Sequence, residues 1–268
     1  MRKIENLENL SGLLEAFSKK GTITNNYLLI DSYKDLILNE QLFYSETSSN
    51  LCFLVEKGGF FRLYFHINNR DELFDFESGK PVTMEIIYRG EKNKPVGVIE
   101  YWENHGFKQH IVRENMGASF NQITLPDKNN HSVKIKLADN DKEIEFSKEI
   151  FEKTFDPFTG DILTLEETAH FALSKNLFVA YYEDRLCGAL QFEIKNNVVW
   201  IGHIAVSSDC RGKGVANELV NSYILSNASQ PGTRYQLWVM QDNPGAIGLY
   251  KKFGFNFANK TSASMLKI

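Results

Sequence analysis

With 268 residues and 43% hydrophobic content, the chain holds enough apolar material for one large core or two modest ones, and two is the expected count. A net charge of −4 with dispersed Lys and Arg gives no basic stripe for nucleic acid, and no segment is long and apolar enough to span a membrane. Cys52, Cys187 and Cys210 are widely separated, which argues against a disulfide framework or a metal cluster, and Met1-Arg2-Lys3-Ile4-Glu5 is unlike a secretory signal, so a cytoplasmic protein without metal is expected.

Apolar spacing predicts helices over Glu8–Phe17 and Lys34–Phe43, then strands Leu51–Val55 and Phe60–His66 turning at Lys57-Gly58-Gly59. Pro81–Tyr88 reads as a further strand and Pro95–Asn104 as a helix stopped at Gly106. The polar, turn-rich stretch Leu125–Ser132 marks a domain boundary, dividing the chain into residues 1–130 and 131–268. Beyond it come strand Val133–Leu137, helices near Glu143–Thr154 and Leu163–Leu173, and a hairpin of Leu177–Tyr182 with Leu186–Ile194 through Glu183-Asp184. Strand Val198–Val206 feeds a glycine-basic turn and a helix-like run from Asn217 to Leu225. Strand Tyr235–Met240, helix Asn243–Phe253 and pairing strands from Phe255 complete a mixed sheet with helices on both faces, an α/β fold.

The turn Asp209-Cys210-Arg211-Gly212-Lys213-Gly214-Val215-Ala216 carries the strongest functional signal. Glycines at 212 and 214 let successive amide N–H groups converge at a helix N-terminus, a concavity suited to an anion. Arg211 and Lys213 add formal charge, which points to a phosphate-bearing ligand, although a solvated loop before a helix uses the same residues. A second block, Asn243, Ala246, Leu249, Tyr250, Gly254 and Phe255, has the form N-x-x-A-x-x-L-Y-x-x-x-G-F. Together the two blocks resemble the GCN5-related N-acetyltransferase (GNAT) family, whose acetyl-CoA site combines a strand, an R-x-x-G-x-G/A turn and a later N-x-x-A…Y helix. The matching turn positions are Arg211, Gly214 and Ala216.

That resemblance implies acetyl transfer from acetyl-CoA to a primary amine, on a small molecule or a protein, by direct attack on the thioester. It implies cofactor contacts from Ile204, Ala205 and Val206, from Arg211, Gly212, Lys213, Gly214, Val215 and Ala216, and from Asn243, Ala246 and Tyr250. It also implies that Tyr250 protonates the departing thiolate. Asn243, Ala246 and Tyr250 share one helical face, but capping alone explains an asparagine at a helix start, and core anchoring alone explains the tyrosine. Strand alternation places Trp200, Gly202 and Ile204 on one face and His203 on the other, so no strand-borne base is expected. Deprotonation then runs through water or by selection of a neutral amine, and Trp200 serves as an acceptor wall or as plain core. Asp156, Phe158 and Asp161 offer acids and an aromatic suited to a cationic acceptor, although acidic loops are usually just solvated. A module that binds CoA without turnover is the alternative, and a homodimer is compatible with either reading.

Gly97–Trp102 with Gly106-Phe107 echoes Gly245–Tyr250 with Gly254-Phe255 at a shift of 148 residues (254 − 106). The first half carries Asn68-Asn69-Arg70-Asp71-Glu72-Leu73 in place of a glycine turn, which should bind no pyrophosphate. A tandem arrangement follows, in which the N-terminal half is a degenerate GNAT-like domain; an unrelated accessory α/β domain is the other reading.

Overall fold

The computed structural model describes residues 1–74, 78–125, 132–227 and 232–268. These form two compact units, Met1–Val112 with Thr261–Ile268, and Arg113–Lys260. The expected division at residues 130 and 131 lies outside the described residues.

The first unit contains β1 (Arg2–Lys3), α1 (Leu7–Phe17), β2 (Ile23–Thr24), α2 (Ile30–Leu38), β3 (Leu42–Glu46), β4 (Leu51–Glu56), β5 (Phe61–Ile67), β6 (Val82–Arg89) and α3 (Val96–Asn104). Its strands run in the order β1-β3-β4-β5-β6, with β2 on β5. Alternation along β4 sends Leu51, Phe53 and Val55 into a core with Leu10 and Tyr33 of α1 and α2. Cys52 and Leu54 point into a second core with Val98, Tyr101 and Trp102 of α3. The helix expected over Lys34–Phe43 instead spans Ile30–Leu38, because Glu40 enters the left-handed region at φ 59 and Gln41 N–H closes on the Leu36 carbonyl at 2.8 Å. Leu42 and Tyr44 are thereby freed to pair with Val55 and Phe53.

The strand β7 (Lys108–Ser119) follows, and from Arg113 it belongs to the second unit. That unit continues with β8 (Val133–Leu137), α4 (Asp141–Thr154), α5 (Leu165–Leu173), β9 (Leu177–Tyr182), β10 (Arg185–Lys195), β11 (Val198–Val206), α6 (Val215–Asn227), β12 (Arg234–Met240), α7 (Pro244–Lys252) and β13 (Asn256–Lys267), whose last residues return to the first unit. The sheet order is β8-β9-β10-β11-β12-β7, with only the β11–β12 pair parallel among these neighbours. Local chemistry sets the boundaries. Asn140 caps α4 through Glu143 N–H at 3.1 Å, and Thr164 and Glu167 form a reciprocal capping box on α5. Glu183 and Asp184 both take positive φ, 50 and 59, the signature of a tight two-residue hairpin turn. One face of the sheet packs on α6 and α7 through Leu219, Tyr223 and Phe253, and the other on α4 and α5 through Phe151 and Ala172.

The internal echo is a structural repeat. α3 and α7 have the same length, and a shift of 148 (244 − 96) superposes their first and last residues and those of the strands that follow, Lys108–Ser119 and Asn256–Lys267. Gly106 and Gly254 end the two helices at φ 82 and 88, and Phe107 and Phe255 behind them are both 1% exposed. Both units place two helices before three antiparallel strands and a strand–helix–strand at the end. Between β5 and β6 the described residues hold no helix, whereas α6 fills the corresponding place in the second unit. The architecture is a mixed-sheet α/β fold in tandem. No helix among the described residues is long and apolar enough to cross a membrane, and no group of three or more described His, Cys, Asp or Glu side chains is arranged to hold a metal.

Candidate functional site

The site begins where β11 and β12 part. Their parallel pairing runs from Val198↔Arg234 to Ile201↔Leu237 and ends there, while β11 continues against β10 as far as Val206↔Gly188. The residues beyond Ile201 thus present one backbone edge to a cleft of about 800 Å³. Ile204, Ala205 and Val206 line it, and Thr154 at the end of α4 lies against the same space.

At the other end of the cleft, a 3-10 turn over Ser208–Cys210 leads into the glycine turn. Gly212 and Gly214 adopt φ 75 and 81, left-handed values that only glycine takes without strain. Helix α6 then starts at Val215, and Val215, Ala216 and Asn217 of its first turn, whose amides have no carbonyl partners within the helix, line the cleft. Arg185 braces this turn through a 2.5 Å ion pair with Asp209 and a 3.3 Å hydrogen bond to the Cys210 sulfur. Arg211, Gly212, Gly214, Val215 and Ala216 all line the cleft. Lys213 does not; its ammonium stands 4.6 Å from the centre of the Tyr182 ring.

The third wall is α7. Asn243 lines the cleft while its Oδ1 accepts from Ala246 N–H at 3.0 Å, so it caps the helix and faces the ligand space together. Ala246 and Tyr250 follow on the same face, with Gly245, Gly248, Leu249 and Lys252 beside them. Lys252 brings a second cation to the cleft. Sequence reading missed it, and the signal was available, because position 252 falls on the helical stripe defined by 245 and 248. Tyr250 is 4% exposed, and burial raises its phenol above the ordinary value, so it keeps its proton at neutral pH. Thr154 carries no sequence signal, since tertiary packing alone brings it here, whereas Cys210 arrives as the neighbour of Arg211 in the glycine turn.

The structure corrects the alternation expected for β11. Phe192 pairs with Ile201 and Gln191 with His203, leaving Gly202 as the extra residue of a bulge. Val199 and Ile201 therefore pack towards α6, whereas Ala205 joins the core under α4 and α5. His203 shares that second face, with its ring centre 5.1 Å from Phe151 and 4.9 Å from Phe155. Its Nδ1 is 3.0 Å from Gln191 Oε1 and its Nε2 is 2.8 Å from the Gly160 carbonyl. The side chain is buried, its pKa is lowered by that burial, and it does not line the cleft. A Cβ at position 202 would lie 2.1 Å from Gln191 Oε1, so any larger residue at the bulge must displace the Gln191 side chain. Asp156 organises the neighbouring loop by accepting from Thr159 N–H at 2.9 Å, and Arg113 holds it through the Thr159 carbonyl at 3.0 Å.

The sequence model of the acetyltransferase (GNAT) family matches residues 143–255, the span that contains all three walls. This part of the chain is similar to the GNAT family. An uncharacterized N-acetyltransferase of Methanocaldococcus jannaschii is 42% identical over 62 residues, which are 23% of this chain and 27% of that protein. The chain thus matches about a quarter of the length of that relative. Among solved structures, a GCN5-related N-acetyltransferase from Sphaerobacter thermophilus superposes with a TM-score of 0.58 at 15% identity, over 81% of this chain and 76% of that one. A tandem GNAT protein from the clavulanic acid biosynthesis pathway superposes at 0.52 and 10% identity, over 84% and 83%. These likenesses concern the fold, and they extend beyond the family-matched span into the first unit.

Proposed function

We propose that the chain is an acetyl-CoA-dependent N-acetyltransferase that transfers an acetyl group to a primary amine by direct attack on the thioester. The observation that carries this reading is the convergence of a glycine-turn amide nest, the edge of β11 beyond its pairing with β12, and the protonated Tyr250 phenol on one cleft. Bound acetyl-CoA would supply an activated acyl carbon and a thiolate leaving group. Amides from Gly212 to Ala216 suit a diphosphate, with Arg211 and Lys252 as the cations at the cleft. The backbone of Ile204–Val206 is placed to pair with the amides of an extended arm, which would direct the thioester towards Tyr250. An N–H from that edge, aimed at the carbonyl oxygen, would stabilise the developing oxyanion by roughly a hundredfold to a thousandfold in rate.

With acetyl-CoA bound, the amine nitrogen would bond to the acyl carbon as the carbon–sulfur electron pair goes to sulfur, and the Tyr250 hydroxyl would give that sulfur its proton, the phenolate then regaining one from water. The amine would lose its proton to water, since the cleft lining among the described residues contains no Asp, Glu or His. That same composition favours one second reading, a CoA-binding module without turnover. Thiol release from acetyl-CoA across a panel of amines separates the two. Release with any amine supports the transferase, and tight CoA binding with no release for every amine supports the module.

A further inference from the structure

The first unit contains the same parting of strands, and its own chain fills the gap. β5 pairs with β6 at Phe61↔Val82 and Arg62↔Thr83, the counterpart of the β11–β12 pairing that ends at Ile201. Past that point the Asn25 carboxamide enters between the two strands. Its Nδ2 donates to the Leu63 carbonyl and to the Glu85 carbonyl, each at 3.1 Å, and its Oδ1 accepts from Phe65 N–H at 2.7 Å. Strand β2 then continues along the same edge, with Ile23 opposite Ile67 and Thr24 opposite His66. A side-chain amide and a short strand thus satisfy the kind of backbone edge that Ile204–Val206 presents to the cleft of the second unit.

The reaction position is filled as well. At the shift of 148 (250 − 102), Trp102 stands where Tyr250 stands. It is fully buried, with Phe74 stacked at 5.9 Å and Phe65 and Phe107 at 5.2–5.3 Å, and its indole N–H has no partner among the described residues. Phe74 comes from the segment between β5 and β6, where the second unit has its glycine turn and α6. Its N–H donates to His105 Nε2 at 2.9 Å, and the Tyr101 hydroxyl donates to the Glu72 carbonyl at 2.8 Å, so this segment folds down onto α3. The groove left beside it is lined by Asp71 and Glu100, and the Arg70 guanidinium lies against Gly97, poor surroundings for a diphosphate.

We infer that the first unit is a self-liganded copy, in which the Asn25 carboxamide and β2 hold the slot that takes the amide-bearing arm of a ligand in the second unit. The chain then has one coenzyme site and one reaction centre. The identity of that ligand as a coenzyme A thioester rests on the proposed function; the occupation of the slot does not.

Amide exchange on the full chain tests both parts. Without ligand, Phe65 N–H should be protected in the parent and should exchange about tenfold faster or more in Asn25→Ala, which removes its acceptor. Asn25→Asp, which keeps the shape and the acceptor but loses both donor bonds, should leave Phe65 slow while the pair of strands around Glu85 loosens. Coenzyme A added to the parent should protect residues 204–217 and 243–250, leave 61–67 and 96–105 unchanged, and titrate at one equivalent. Unaltered Phe65 exchange in Asn25→Ala, or coenzyme protection of 61–67 and 96–105, overturns the inference. Absence of coenzyme protection everywhere contradicts the proposed function instead, and the Asn25 variants still decide this point.

Discussion

Replacing Tyr250 by phenylalanine removes one oxygen from a ring that is 4% exposed and leaves its packing on Phe255, 5.9 Å between ring centres, intact. The fold and the phosphate turn should therefore survive, and coenzyme affinity should change less than about threefold, because the hydroxyl contributes nothing to the nest. Burial holds the phenol above its ordinary value of 10.0, so in the parent it carries a proton throughout the neutral range. Without it the thiolate leaves unprotonated, and the expected loss in kcat is roughly 10² to 10⁴, or about 2.7–5.5 kcal/mol of barrier. The sign of the pH dependence follows. A neutral acid with a raised pKa is fully competent below about pH 10 and fails only above it, so the ratio of parent to variant rates should stay flat from about pH 6 to pH 10. Thiol release from acetyl-CoA with a productive amine, measured across that range, provides the assay. An undiminished kcat in Tyr250→Phe, or a loss confined to coenzyme binding, refutes the general-acid role.

Arg211→Ala should weaken coenzyme A binding about tenfold or more, while Lys213→Ala, which removes a side chain directed at Tyr182 and not at the cleft, should weaken it less than about threefold; calorimetry distinguishes them, and equal losses would contradict the assignment. Gly202→Ala should destabilise the protein by about 1–3 kcal/mol in denaturant titration, because the new methyl drives Gln191 away from His203; unchanged stability would show that the bulge has slack. Thr164→Ala should cost about 1 kcal/mol through the lost reciprocal cap on α5, with coenzyme affinity unaffected.

Elements with strong periodicity were legible from residues alone. Strands Leu51–Val55 and Val198–Val206, the hairpin at Glu183-Asp184 and the glycine stop at Gly106 lie where apolar spacing and turn chemistry put them. The repeat was legible too, since Gly-Phe after a helix is a local stop signal that survives sequence drift. What escaped was set by tertiary contacts. β7 carries an irregular mixture of polar and apolar residues, His110-Ile-Val-Arg-Glu-Asn-Met-Gly, and forms a strand because it is paired on both edges, by β13 and by β12. Alternation along β11 failed at one residue, Gly202, because a bulge inverts every later side chain; the isolated glycine inside the strand was the signal that marks such a bulge. Spacing alone put Lys213 beside Arg211 as a phosphate ligand, and it could not show that the ring of Tyr182, 31 residues upstream (213 − 182), also lies within its reach. Asn25 gave no signal, since its three backbone partners lie 38 to 60 residues away.

The central claim is that amides following Val206 hold a coenzyme diphosphate and align its acyl arm with Tyr250. Calorimetric titration of the full chain with coenzyme A and, separately, with pantetheine, which lacks the diphosphate, tests it most directly. The account predicts one equivalent of coenzyme A bound, with pantetheine at least about a hundredfold weaker. No heat with coenzyme A, or equal affinity for both ligands, would contradict it.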